Sequence, residues 1–224
     1  MWETFLSPDN LTYMLKGAGA SLALALGALI FGVMIGVVMA AMKLSKSKVL
    51  NVIGSVYVEI LRGTPMLLQV LFFYLGVPVL YQMIAGTRLR VDPYVVGLIA
   101  MSLNSGAYQT ELIRSGIQGV DKGQWEACET LGISYVTMMR EVILPQAFKR
   151  IIPPMVSEFI TLIKDSSLIS CIGAAELLYT AQVLGAKYYN YLDPLIIAGC
   201  MYLVMTVTIS FIARKIEKRM AVSD

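Results

Sequence analysis

The sequence predicts an all-α integral membrane protein with five transmembrane helices and one folded polar loop between the third and fourth. Three observations lead there. The 224 residues are 57% hydrophobic and only 15% charged, whereas soluble domains are roughly 45–50% apolar and about 25% charged, and a mean hydropathy of +0.70 agrees. Apolar stretches long enough to cross the roughly 30 Å hydrocarbon layer recur along the chain. Lys and Arg gather in alternate connections between those stretches.

The first span is expected over residues 13–42, with an uncharged run from Gly17 to Met42. Gly32 and Gly36 stand in G-x-x-x-G spacing with Ala40 following, a face suited to close helix contact. The second covers 51–85, its uncharged run beginning at Met66 after the stretch EILRGTP. Glu59 and Arg62 are one turn apart there and can pair, and Pro65 should bend or break the helix. The third covers 93–116, uncharged from Pro93 to Thr110; the fourth covers 151–175; the fifth covers 194–217, uncharged from Pro194 to Ala213. Residues 1–224 read as a single domain.

If the connection after the first span is cytoplasmic, twelve Lys and Arg residues fall on that side, including Lys43, Lys46, Lys48, Arg114, Arg140 and Arg214 to Arg219. The other side collects Lys16, Arg88, Arg90 and Lys187. This bias predicts an outer N-terminus and a cytoplasmic C-terminus. The opening MWETFLSPDN is acidic rather than basic, so the first helix is expected to stay in place rather than serve as a cleaved signal.

Composition also excludes several chemistries. With no histidine, there is no His base, His ligand or Ser–His triad. Cys128, Cys171 and Cys200 form no C-x-x-C pair, so neither a zinc site nor a disulfide framework is legible. No G-x-S-x-G or H-E-x-x-H motif suggests an intramembrane enzyme. A net charge of +3, with no basic run interleaved with aromatics, gives no sign of nucleic acid.

The loop over 117–150 differs in kind. From Glu111 to Arg150 it carries five acidic and five basic residues, too polar for lipid. Asp121 can cap a short helix through Trp125 and Glu126, and Gly132 can close it in a left-handed conformation. A second helical run is expected to end near Pro145. The short helix, displaying Trp125 beside Glu126 and Glu129, either docks into a groove on another protein or ties the third and fourth spans together.

The stretch EACETLGISYVTMMREVILP resembles the EAA loop of ABC-importer permeases, a pattern of E-A-A, three residues, G, nine residues, then I-x-L-P. Glu126, Ala127, Gly132, Leu144 and Pro145 fall at matching places, while Cys128 and Val142 depart with small or apolar substitutes. RGTPMLLQ at 62–69 and KDSSLISCIG at 164–173 are similar to motifs of the subfamily that imports polar amino acids of the histidine, glutamine, arginine or cystine kind. The resemblance implies a type I importer permease fold and a prokaryotic cell-membrane location. It implies that Trp125, Glu126, Ala127, Glu129 and Gly132 belong to a coupling helix seated on a separate ATPase subunit. It also implies a second permease subunit, identical or related, and an extracytoplasmic solute-binding protein. ATP and Mg would be bound by the ATPase, with no cofactor or metal in this chain; the absence of any G-K dipeptide, and so of a P-loop, fits that division.

The fourth span raises the question of substrate. Glu158, Thr161, Leu162 and Asp165 share one helical face, while Lys164 is rotated about 100° away from Asp165. Each charge at mid-bilayer costs roughly 2.5–3.5 kcal/mol, so these groups should face protein, water or a ligand. Ser166 and Ser167 follow, and Gly173 is expected to loosen the helix, exposing backbone groups that hold charged ligand ends. The third span supplies a second polar stripe, Asn104, Tyr108 and Glu111. An amino acid is a zwitterion: an acidic stripe suits its ammonium, and hydroxyls with freed N–H groups suit its carboxylate. The expected substrate-binding set is Asp165, Ser166, Ser167, Glu158, Thr161, Asn104, Tyr108, Arg62 and Thr64. Two readings compete. Asp165 could pair with Lys164 or Arg62 and serve packing alone, or Glu158 and Asp165 could relay ions or protons in a coupled carrier or channel.

Overall fold

A computed structural model describes the backbone of residues 2–221 and the side chains of residues 4–215. Lys218 and Arg219, counted above in the charge bias, lie outside the described side chains, as does the end of the fifth expected span. After a single turn at Trp2–Phe5, helix α1 runs over Pro8–Leu44 and α2 over Lys48–Gly63. Helix α3 covers Met66–Ala85 with a π turn at Phe72–Gly76, and α4 covers Pro93–Gln118. Helix α5 is Lys122–Thr130. Helix α6 spans 135–165, beginning at Tyr135–Met138, widening to a π turn at Met139–Ile143 and continuing as Leu144–Asp165. A 3₁₀ segment, Ser166–Ile172, leads to α7 at Leu177–Tyr188 and α8 at Leu192–Ala221. No strand occurs among the described residues.

Three of these helices, Pro8–Leu44, Met66–Ala85 and Leu192–Lys215, are long and apolar enough to cross a membrane. A fourth candidate is the pair Tyr135–Ile172 and Leu177–Tyr188, bent by 47°. Helix α4 has 26 residues, enough for a crossing at about 1.5 Å each. It is less apolar because its buried face carries Ser102, Asn104, Ser105, Gln109 and Thr110.

Helix α1 lies along α4, and the glycine face expected at its centre makes that approach possible. A Cβ on Gly36 would stand 2.6 Å from the Cβ of Gln109, and one on Gly32 would stand 2.8 Å from that of Ser105. At the far end of the same interface Lys43 Nζ meets Glu111 Oε1 at 2.6 Å, while Arg114 holds the other carboxylate oxygen at 2.7 Å. The C-terminal ends of α1 and α4 therefore lie together. The main core gathers Leu24, Ala28, Val70, Ala100, Met101, Leu162 and Ile169 from α1, α3, α4, α6 and the 3₁₀ segment.

Several local expectations change. The helical run after Gly132 does not stop near Pro145. The π turn at Met139–Ile143 accommodates the missing N–H and ring of Pro145, and the helix continues to Asp165. Glu59 and Arg62 do not pair; the Arg62 guanidinium lies 5.1 Å from the centre of the Tyr108 ring. Pro65 does interrupt the chain: Thr64 is extended, as the residue before proline prefers, and α3 starts afresh. Helix α7 lies in a connection the apolar runs left blank. Its cap is Glu176, fully buried, whose carboxylate accepts from the N–H groups of Leu178 (3.0 Å) and Tyr179 (2.8 Å) and from the Tyr202 hydroxyl (2.6 Å).

Candidate functional site

The break at Pro65 and the polar stripes of α4 and α6 meet in one cleft of about 500 Å³. Arg62, Gly63, Thr64, Pro65 and Met66 form one wall, Asn104 and Tyr108 a second, and Glu158, Thr161 and Asp165 a third. Each wall follows from local sequence. Pro65 ends α2 and leaves an extended corner, whereas Glu158, Thr161 and Asp165 keep helical spacing and point the same way. That volume lies within the range of roughly 300–1,000 Å³ common for small-molecule sites.

The cleft is electrostatically lopsided. Two carboxylates, Glu158 and Asp165, face one guanidinium, that of Arg62, which is stacked on Tyr108. Lys164 is exposed and does not line the cleft, as its rotation around α6 requires. Neither it nor Arg62 forms an ion pair with Asp165. The Thr161 hydroxyl donates to the Ser157 carbonyl (3.1 Å), and Thr64 to the Ile60 carbonyl (2.8 Å). Both oxygens therefore remain as acceptors only.

Two expected members fall elsewhere. Ser166 is fully buried and donates to the Ile163 carbonyl at 2.7 Å. Ser167 is half-buried, its carbonyl accepting the Ser170 hydroxyl at 2.7 Å. The chain tightens from α to 3₁₀ geometry after Asp165, and three residues per turn carry both serines off the stripe. Gly173, with φ at +88°, ends the segment in a left-handed turn. Glu111, the third member of the α4 stripe, is held by Lys43 and Arg114 at the helix end rather than in the cleft. Sequence reasoning missed Gln69, a buried amide behind the corner at Pro65. Its signal was a lone amide four residues after a helix-breaking proline.

The loop forms as capped. Asp121 accepts from the Gly123 N–H at 2.7 Å. Gly132 closes α5 with φ at +68°, its N–H bonded to the Glu129 carbonyl and that of Ile133 to the Cys128 carbonyl, each at 3.0 Å, a Schellman turn. Trp125 is only partly exposed. It packs with Val120, Cys128, Met138 and Ile143 on the body of the chain, because it shares a face with Cys128 three residues on. Glu126, Ala127 and Glu129 point outward, beside Leu131, Tyr135 and Val136, which are 76%, 66% and 73% exposed.

Apolar helices bundled around a polar, ligand-sized cleft, with a capped surface helix at one end, define a membrane transport component. The chain belongs to the family of binding-protein-dependent transport system inner membrane components, whose family model matches residues 32–222. This is a family of transport components, not of enzymes. The chain is 42% identical to the putative glutamine transport system permease protein GlnP of Rickettsia bellii, over 96% of this chain and 95% of that one. It is 38% identical to the arginine transport system permease protein ArtQ of Bacillus subtilis, with the same coverage. Among solved structures, a crystal structure of an amino acid ABC transporter with histidines superposes with a TM-score of 0.88 at 39% identity, covering 96% of this chain and 98% of that one. The family leaves the ion- or proton-coupled alternative without support.

Proposed function

We propose that the chain is the permease subunit of an ATP-driven amino acid importer and that the cleft between Arg62, Asn104 and Asp165 is its membrane-embedded substrate site. The observation that carries this is the meeting of two carboxylates and one guanidinium in a single cleft, a pattern that matches a zwitterion. Arg62 takes the α-carboxylate, and a carboxylate of α6 takes the α-ammonium. The second carboxylate favours a cationic side chain, since Lys164, its neighbour in sequence, does not line the cleft. The relatives named for arginine and glutamine transport support an amino acid as cargo.

In this reading the chain crosses the membrane five times, through α1, α3, α4, α6 and α8, with its N-terminus outside. The joined ends of α1 and α4, carrying Lys43 and Arg114, then lie on the cytoplasmic side, as the Lys/Arg bias asks. Helix α5 is the coupling helix: Glu126, Ala127, Glu129 and Gly132, with exposed Leu131, Tyr135 and Val136, form the surface that an ATPase subunit grips. Trp125 is its anchor to the permease. A second permease subunit completes the path, an extracytoplasmic binding protein delivers cargo, and ATP and Mg stay with the ATPase.

The test is a thermal-shift screen of the assembled transporter against the common amino acids. A ligand at a hundred times its dissociation constant adds about 2.7 kcal/mol of stability, so one or two amino acids should raise the Tm and the rest should not. Asp165→Asn should raise the half-saturating concentration by about tenfold or more, the scale of a hydrogen bond to a charged group. Unchanged half-saturation in that variant would remove Asp165 from the site.

A further inference from the structure

We propose that Gln69 is a positioning residue for the cleft: its buried amide holds the corner at 61–65 and turns Asn104 so that the Asn104 carbonyl oxygen faces the substrate. The inference rests on the cleft being the amino-acid site and adds a part to it.

Proline at 65 creates the need. The helical donor for the Leu61 carbonyl would be the N–H of residue 65, which proline lacks, and Thr64 leaves the helix before its own carbonyl finds a partner. Unpaired carbonyls in an apolar interior are costly. Gln69, only 6% exposed, supplies the missing donors. Its Nε2 reaches the Leu61 carbonyl at 2.8 Å, the Thr64 carbonyl at 3.1 Å and the Thr64 hydroxyl oxygen at 2.9 Å. That hydroxyl donates to Ile60, so towards Gln69 it can only accept.

Three acceptors around one end of the amide fix which end is nitrogen. Oε1 of Gln69 must then face Asn104, and it accepts from Asn104 Nδ2 at 3.1 Å. The same nitrogen also donates to the Leu61 carbonyl at 3.2 Å. Both hydrogens of Asn104 are thereby engaged, and its orientation follows from that of Gln69. What remains is Oδ1, an acceptor bonded by no donor among the described residues, on a side chain that lines the cleft with Glu158 and Asp165. It offers a neutral partner for an ammonium hydrogen that the carboxylates do not take.

The experiment uses the assembled transporter in nanodiscs with Gln69→Met, which keeps volume and loses every hydrogen bond, and Gln69→Glu, which keeps an acceptor for Asn104 and loses the donors. Hydrogen exchange without ligand is read over 61–66, and Tm against L-arginine and L-glutamine gives half-saturation. Both variants should exchange faster at 61–66 with 122–132 unchanged. Gln69→Met should raise half-saturation about tenfold, the scale of one or two lost hydrogen bonds. In an Asn104→Ala background the same change should add less than twofold, because Gln69 acts on the substrate through Asn104. Unaltered exchange at 61–66, or effects of Gln69→Met and Asn104→Ala that simply multiply, would overturn the assignment. If neither amino acid stabilises the wild type, the amino-acid reading fails by itself, and the exchange difference still decides for or against Gln69.

Discussion

At the scale of single residues, polar groups inside apolar helices carry the most information, because each must be compensated where it sits. That is why Glu158, Thr161 and Asp165 could be grouped from spacing alone, and why Asn104 and Tyr108 joined them. The serines after Asp165 could not be placed in the same way. Helical counting assumes 3.6 residues per turn, and the chain departs from that at Ser166. Gln69 and Glu176 escaped for a different reason: each serves a chain break and also a distant side chain, Asn104 for Gln69 and Tyr202 for Glu176, and periodicity does not bring such partners together. The close glycines give a clean residue-scale test. Gly36→Ala should cost about 1–3 kcal/mol by forcing α1 from α4, lowering the Tm of the purified transporter by several degrees. Gly19→Ala, whose Cβ would meet nothing within 4 Å, should leave Tm where it is.

At the scale of elements, both caps of α5 were legible because capping uses local chemistry: an Asp before the first turn and a Gly after the last. The extent of α6 was not. Pro145 reads as a terminator, yet a π turn ahead of it lets the helix run on, and no local signal distinguishes the two outcomes. The continuity matters, since α6 joins the surface near Tyr135 directly to the cleft at Asp165. In the proposed reading, closure at one end reaches the other along this one helix, which carries Pro153 and Pro154 within it. Weakening the capped helix should therefore uncouple without emptying the cleft. Gly132→Ala places a side chain at positive φ, at about 1–2 kcal/mol, and Asp121→Ala removes the cap, at about 0.5–2 kcal/mol. Each should lower amino-acid-stimulated ATP hydrolysis in proteoliposomes, with half-saturation in the thermal-shift assay unchanged. Loss of ligand binding in either variant would mean that the loop supports the cleft rather than the coupling.

At the scale of the molecule, membrane embedding follows from composition and three apolar helices, and in the proposed five-span reading α4 is a crossing that hydropathy alone leaves out. A helix that lines a polar path must carry polar residues, so the segment nearest the proposed function is the one least like a membrane span. The ion pairs bring the ends of α1 and α4 to one side, and the proposed orientation, from the positive-inside bias, makes that side cytoplasmic. It puts α5 where an ATPase can reach it. A photo-reactive residue in place of Glu126 or Leu131, in the assembled transporter in sealed vesicles, tests this most directly. The account predicts an adduct with the ATP-hydrolysing subunit and protection from a membrane-impermeant reagent at the outer face. An adduct with the extracytoplasmic binding protein, or none with the ATPase, would contradict it.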